Sequence, residues 1–321
     1  MSGKDSATHS KAPQQQKIDT SQISRMKLPF TLLSTISCAS AFSPVHHGGS
    51  RAFVTKLDAQ RQPIMAGNWK MNPATEDDAI KLASDLTTLL GDETCPMDEE
   101  NEFCTEVVIF PPHPFISRVK DKVEDIGITV GAQSVFFEDS GAYTGSVSTN
   151  MVKSVGCEYV LCGHSERRTL FNDDDEAINR KVKKVLDDGM RVVLCVGETR
   201  EEYDLDIKNA VCAMQLSKDL FGVTKEQMKD VVIAYEPVWA IGTGLVCDAK
   251  AANEVHAYLR TVLSDLYDDD VAQSVRIQYG GSVTPESVDE LMAQPEIDGC
   301  LVGGASLVAE KFGRIINFQK A

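Results

Sequence analysis

Three side chains in this sequence have the types and settings for acid–base and charge-stabilising chemistry: Glu236, His164 and Lys70. Glu236 stands just beyond the apolar run Val231-Val232-Ile233-Ala234, which reads as a buried parallel strand. Pro237 fixes its own φ and restricts the conformation of the glutamate before it. The next four residues, Val238-Trp239-Ala240-Ile241, are too apolar for an ordinary solvated loop, and Gly242-Thr243-Gly244 ends it with residues that absorb large dihedral changes. A rigid start, an apolar tip and a glycine end suit a lid that closes over a base and excludes water. A structural turn after a strand would use the same letters. His164 lies in Gly163-His164-Ser165-Glu166-Arg167-Arg168, where an imidazole neighbours a serine whose side chain or N–H can start a helix. A capping motif with a surface ion pair fits that stretch as well. Lys70, in Gly67-Asn68-Trp69-Lys70-Met71-Asn72, offers a positive charge for an anion or a developing oxyanion, or a plain solvated charge. The pairs Gly280-Gly281, followed by Ser282, and Gly303-Gly304 let backbone N–H groups approach a phosphate.

These groups need a scaffold that brings strand ends together. Apolar strand candidates recur at Ile64–Gly67, Val107–Phe110, Ile128–Ala132, Tyr159–Cys162, Val192–Val196, Val231–Ala234, Val275–Gln278 and Cys300–Val302. Between them run amphipathic segments. Ala79, Leu82, Ala83, Leu86, Leu89 and Leu90 share one helical face behind the acidic first turn Glu76-Asp77-Asp78. Asn253–Leu266 and Ala177–Leu186 read similarly, and Thr284-Pro285-Glu286-Ser287 reads as an N-cap with proline at the first helical position. Strand-then-helix units repeated through residues 62–321 predict an α/β fold, a (β/α)8 barrel whose chemistry sits at the C-terminal strand ends. A doubly wound open sheet is the alternative, but no Gly-x-Gly-x-x-Gly follows the first strand.

Charge narrows the partners. The chain carries a net −16, and residues 62–321 alone hold 24 basic and 45 acidic side chains, net −21. So acidic a body argues against nucleic acid or an anionic membrane surface as partner, and an anionic substrate would need a local positive site. The nine cysteines include no Cys-x-x-Cys pair or metal-binding spacing and read as reduced core thiols. Residues 1–61 form a separate extension. Residues 1–25 are polar, whereas Met26 to Ala41 run from a charged start through a short apolar core to small residues, as a signal peptide does. Residues 42–61 are poor in acids, as transit peptides are, and Ala39-Ser40-Ala41-Phe42 resembles the cleavage motif of two-part presequences in algae with secondary plastids. The expected address is a plastid stroma, with the cytoplasm as alternative.

Seven stretches together resemble the triosephosphate isomerase family over residues 62–321: Ala66 to Asn72, Gly141-Ala142-Tyr143-Thr144-Gly145, Gly163 to Arg168, Cys195 to Glu198, Tyr235 to Gly244, Tyr279 to Ser282 and Leu301 to Leu307. The resemblance implies interconversion of dihydroxyacetone phosphate and D-glyceraldehyde 3-phosphate with neither cofactor nor metal. It makes Glu236 the base, His164 the electrophile, and Lys70 with Asn68 the stabilisers of the substrate oxygens; a glutamate base beside a neutral histidine is best known from that family. Gly242, Ser282, Gly303 and Gly304 would hold the phosphate, Glu166 would support Lys70, and Ser165 would support the site. Thr144, in the loop Gly141–Gly145, would make the contact of a homodimer. Tyr143 and Ser146 depart from the family pattern, which has phenylalanine and glutamate there, so that Arg167 loses an expected carboxylate partner. The segment Glu198 to Asp204 lacks the family's usual glycine-containing loop. Two rivals remain. A Schiff-base aldolase would need a lysine at the end of one of the last three strands, and none is there. An inactive barrel used as a phosphate-binding scaffold would need a lost catalytic group.

Overall fold

Runs of β-branched residues alternate with amphipathic segments through the whole body, and in the computed structural model they pair in sequence order. The structure describes residues 61–91, 105–241 and 247–319. Eight parallel strands form a closed barrel: β1 Ile64–Asn68, β2 Glu106–Phe110, β3 Thr129–Ala132, β4 Tyr159–Cys162, β5 Arg191–Val196, β6 Val231–Tyr235, β7 Arg276–Tyr279 and β8 Gly299–Val302. Closure is made by β1 against β8, with Ile64 opposite Gly299 and Gly67 opposite Val302. Each strand expected from sequence is present, with ends displaced by a residue at most.

The alternation of side chains along each strand splits the core in two. Ile64 and Ala66 point into the barrel with Val108, Phe110, Tyr159, Leu161, Val193, Cys195, Val232, Ala234 and Leu301. Met65, Val107 and Ile109 point outward and pack under the helices. The helix Glu76–Leu90 shows the logic of that outer layer. Thr75 caps it by accepting from the Asp78 N–H, three acids occupy its first turn, and Ala79, Ala83, Leu86 and Leu90 are buried. The floor of the barrel is polar but paired. The Glu106 carboxylate accepts from the Tyr159 hydroxyl at 2.8 Å, from Arg276 at 2.5 Å and from Arg191 at 3.1 Å. A buried carboxylate is tolerated only with such partners.

Two readings of local structure change. Thr284 does not cap a helix: residues 285–287 form a turn and the helix is Val288–Met292 with Ser287 at its cap. The Thr284 N–H instead donates to the Ser287 hydroxyl at 3.0 Å within that turn, so Thr284 belongs to a tight bend rather than a helix end. Arg61, placed last in the extension, donates through Nε to Asp298 at 2.6 Å and through Nη2 to the Pro295 carbonyl at 3.0 Å. The barrel's contacts therefore include Arg61. The readings of residues 26–41 and 42–60 fall outside the described residues. Among those described, no helix is long and apolar enough to cross a membrane.

Candidate active site

The loops that follow β1, β4, β6, β7 and β8 meet at one rim of the barrel around a cleft of about 430 Å³. Asn68, Lys70, His164, Glu236, Ser282, Gly303 and Gly304 all line it. The topology thus joins seven of the residues singled out from sequence, 236 positions apart at their extremes.

Glu236 follows β6 directly and is 2 % exposed. Its Oε2 accepts from the Ser165 backbone N–H at 2.8 Å, and its Oε1 lies 3.0 Å from His164 Nε2. Its backbone is held at both sides, the N–H donating to Val196 and the neighbouring Gly280 N–H donating to Tyr235. Two glycines are needed for that fit. A Cβ on Gly197 would fall 1.8 Å from the Glu236 carbonyl oxygen, and one on Gly280 would fall 2.9 Å from Glu236 Cγ.

His164 is the N-cap of the helix Ser165–Leu170, a place the sequence reading had offered to Ser165. Its Nδ1 accepts from the Glu166 N–H at 3.2 Å. A ring nitrogen that accepts carries no proton, so the hydrogen of the neutral ring belongs on Nε2, facing Glu236 and the cleft. Ser165 contributes through its N–H, which carries the Glu236 carboxylate, rather than through its side chain. The N–H groups at this helix start therefore serve two clients, the imidazole and the carboxylate.

Lys70 has a left-handed backbone, φ 53°, unusual for a side-chain-bearing residue and costly unless surrounding contacts enforce it. Three contacts do so. The Lys70 N–H donates to Asn68 Oδ1 at 3.0 Å, Gln133 Nε2 donates to the Lys70 carbonyl at 2.7 Å, and Lys70 Nζ meets Glu166 Oε1 at 2.7 Å. The amine also lies near the loop after β8, since a Cβ on Gly303 would stand 3.9 Å from it. Gly304 opens the short 3₁₀ turn Gly304–Leu307, whose first N–H groups have no partner inside the turn. The Ser282 hydroxyl is already engaged, donating to the Ala240 carbonyl at 2.9 Å, which leaves its backbone N–H for a ligand. Gly242, expected as a further phosphate donor, lies outside the described residues.

The apolar stretch that follows Glu236 is anchored. Val238–Ala240 form a 3₁₀ turn beyond Pro237. Trp239 Nε1 donates to Glu198 Oε1 at 2.7 Å, and the Tyr235 hydroxyl donates to the same oxygen at 3.0 Å. Glu198 is fully buried, and burial raises its carboxyl above the usual range against the pull of these two donors. Tyr203, in the segment that departs from the family pattern, stacks on Trp239 with centroids 4.3 Å apart. Just beyond that segment Asp206 has a left-handed backbone, φ 55°. Behind His164, Arg168 donates to the Gly163 carbonyl at 2.8 Å and the Cys195 carbonyl at 3.2 Å, while pairing with Asp175 and Asp219. Burial pushes the Asp219 carboxyl up to about 7 despite Arg168.

Gln133, Glu198 and Arg168 were quoted or passed over in the sequence without a role. Their signal was weak but present: each is polar and follows an apolar strand within a few residues. Thr144 is exposed, away from the cleft, in the loop that it was assigned to.

Comparison with known proteins settles the family. A profile of triosephosphate isomerase matches residues 63–319, the whole barrel. The chain belongs to the triosephosphate isomerase family. The triosephosphate isomerase of Clostridium perfringens (strain SM101 / Type A) is 46% identical over 258 residues, covering 80% of this chain and all of its own length. Those of Clostridium botulinum (strain Eklund 17B / Type B) and Alkaliphilus metalliredigens (strain QYMF) are 46% and 44% identical over the same span. In triosephosphate isomerases the pairing of a glutamate base with a neutral histidine is the established arrangement. Here His164 Nδ1 accepts from the Glu166 N–H and its Nε2 lies 3.0 Å from Glu236 Oε1.

Proposed function

We infer that this protein interconverts dihydroxyacetone phosphate and D-glyceraldehyde 3-phosphate through an enediolate. The observation that carries this is the convergence of Glu236, His164 and Lys70 on one cleft beside the N–H groups of Ser282, Gly303 and Gly304. The phosphate sits against those N–H groups, under the Lys70 amine. Glu236 swings from the Ser165 N–H and takes a proton from the carbon next to the carbonyl. The C–H electron pair becomes the C=C bond, and the carbonyl π pair moves onto oxygen. That oxygen is met by the Nε2–H of His164 and by Lys70, which stabilise charge only as it develops. His164 passes protons between the two oxygens, and Glu236 returns its proton to the neighbouring carbon. Closure over the cleft keeps water from the enediolate while this happens.

A homodimer through the loop Gly141–Gly145 is part of this proposal. Its support is a set of large apolar side chains left exposed: Met71 is 92% exposed, Leu170 72% and Phe171 63%. Tyr143 packs on Phe136 with centroids 4.7 Å apart, which stiffens the loop. Arg167, which lacks an acid at Ser146, pairs with Asp173 of its own chain at 2.7 Å, so its charge needs no partner from elsewhere. Sedimentation velocity of the 35.1 kDa chain checks the dimer: a single boundary at the monomer mass would refute it. The proposed address is the plastid stroma, where the enzyme would serve carbon fixation and triose export; in the cytoplasm it would serve glycolysis and gluconeogenesis. A fluorescent fusion of residues 1–61, begun at Met1 and at Met26, separates the two. Activity itself is tested by following NADH loss when D-glyceraldehyde 3-phosphate is supplied with a glycerol-3-phosphate dehydrogenase. Turnover that Glu236→Gln abolishes is expected, and absence of turnover in the parent would overturn the assignment.

A further inference from the structure

The cleft extends beyond the reacting groups. Its lining also includes Pro285, the exposed Glu286 and the exposed Lys311, the last in the first turn of the helix Ala309–Ile316. Lys70 and Lys311 are its two lysines, the first half-buried and the second exposed. Lys70 is committed to Glu166 at 2.7 Å. Lys311 is exposed, and among the described residues no carboxylate lies within ion-pairing distance of it. Glu286, also at the mouth, is held below the usual carboxylate range first by the Thr284 hydroxyl, then by its own backbone, and further by the charges of Lys311 and Arg314. Beside Gly304 the space is open, since a Cβ built there would meet nothing within 4 Å.

Set this against the rest of the body. Residues 62–321 carry a net −21, and a triose phosphate arrives as an anion. An acidic surface repels it, so encounter depends on whatever positive potential marks the entrance. The inner lysine cannot do this alone, because its nearest carboxylate offsets its field at a distance. We propose that Lys311 is the capture residue of this enzyme: its free ammonium at the cleft mouth draws the substrate phosphate in and delivers it to the N–H groups of Gly303 and Gly304. Glu286 opposes it and sets the strength of the pull. Lys311 takes no part in proton transfer, so its influence falls on encounter and not on turnover.

The proposal rests on the isomerase reading, and its test separates the two. Measure kcat and KM of the parent, Lys311→Arg, Lys311→Gln, Lys311→Glu and Glu286→Gln at ionic strengths from about 0.01 M to about 0.15 M. Loss of one charge beside a doubly charged anion should lower kcat/KM about threefold at low salt, and reversal about tenfold, with kcat little changed. Lys311→Arg should match the parent, Glu286→Gln should exceed it, and the differences should shrink as salt rises. A Lys311→Glu variant with the parent's kcat/KM at low salt would overturn the proposal while leaving the isomerase reading intact. So would a loss that persists undiminished at high salt, or one carried by kcat, since screening does not relieve a structural defect. A parent without isomerase activity would overturn the reading and the capture role with it.

Discussion

Glu198 offers the sharpest separation between a buried hydrogen-bond acceptor and a buried charge. Its Oε1 takes bonds from the Tyr235 hydroxyl and the Trp239 indole, while its Oε2 has no partner among the described residues. Glu198→Ala removes the acceptor that these two donors share. Each such loss costs about 1–3 kcal/mol when the group stays buried, so the variant should be destabilised by about 2–6 kcal/mol. Glu198→Gln keeps one oxygen for both donors and removes a carboxylate that burial disfavours. At neutral pH it should lie within about 1 kcal/mol of the parent. The sign of the pH effect follows. A carboxyl whose folded pKa is raised from its usual 4.5 stays protonated in the folded state while the unfolded chain ionises, so this group's contribution to stability declines as pH rises from about 4.5 to the raised value. The parent should therefore lose stability relative to Glu198→Gln across that interval. Urea midpoints read by tryptophan fluorescence measure all three proteins. A glutamine variant as unstable at neutral pH as the alanine variant would refute the reasoning, because it would mean that the charge itself holds Tyr235 and Trp239.

Other substitutions test other links. Glu236→Asp shortens the base by one methylene and removes it from its 2.8 Å and 3.0 Å contacts; kcat should fall by about a hundredfold or more with the urea midpoint nearly unchanged. Gly280→Ala puts a methyl 2.9 Å from Glu236 Cγ, and steady-state assay should show kcat reduced at least about tenfold by a displaced base. His256 is fully buried, its Nδ1 donating to the Glu296 carbonyl, and burial lowers its pKa from 6.5 to about 3. The unfolded chain gains a proton there as pH falls below 6.5 and the folded one does not, so the parent loses stability through that window at up to about 1.4 kcal/mol per pH unit. In His256→Gln that component should vanish, visible as a shallower fall in urea midpoint between pH 6.5 and pH 4.

The strands were legible because a parallel sheet buried on both faces demands continuous apolar runs such as Val192–Val196 and Val231–Ala234. Glu236, His164 and Lys70 were legible because each follows such a run. Their support was not. Gln133 holds the carbonyl of Lys70 from 63 residues away, and Arg168 grips the carbonyl of Cys195 from 27 away. No local periodicity encodes such bonds; only closure of the barrel creates them. Gly197 looked like any loop glycine until the Glu236 backbone was seen to pass within 1.8 Å of where a Cβ would be. Thr284 misled because a hydroxyl before proline serves a tight turn as well as a helix start, and local sequence does not distinguish them. The assignment of His164 as cap, with Ser165 one residue inside the helix, shows the same one-residue ambiguity at a place where it decides which groups reach the substrate.

The central claim is that Glu236 moves a proton between adjacent carbons by way of an enediolate. Running the isomerisation of D-glyceraldehyde 3-phosphate in D2O and reading the product by proton NMR tests it most directly. A base that takes a carbon-bound proton and holds it within reach of solvent will return deuterium to carbon in at least part of the dihydroxyacetone phosphate, and Glu236→Gln will stop both isomerisation and label uptake. Isomerisation with no deuterium on carbon at any extent of reaction, or label uptake undiminished in Glu236→Gln, would contradict the account.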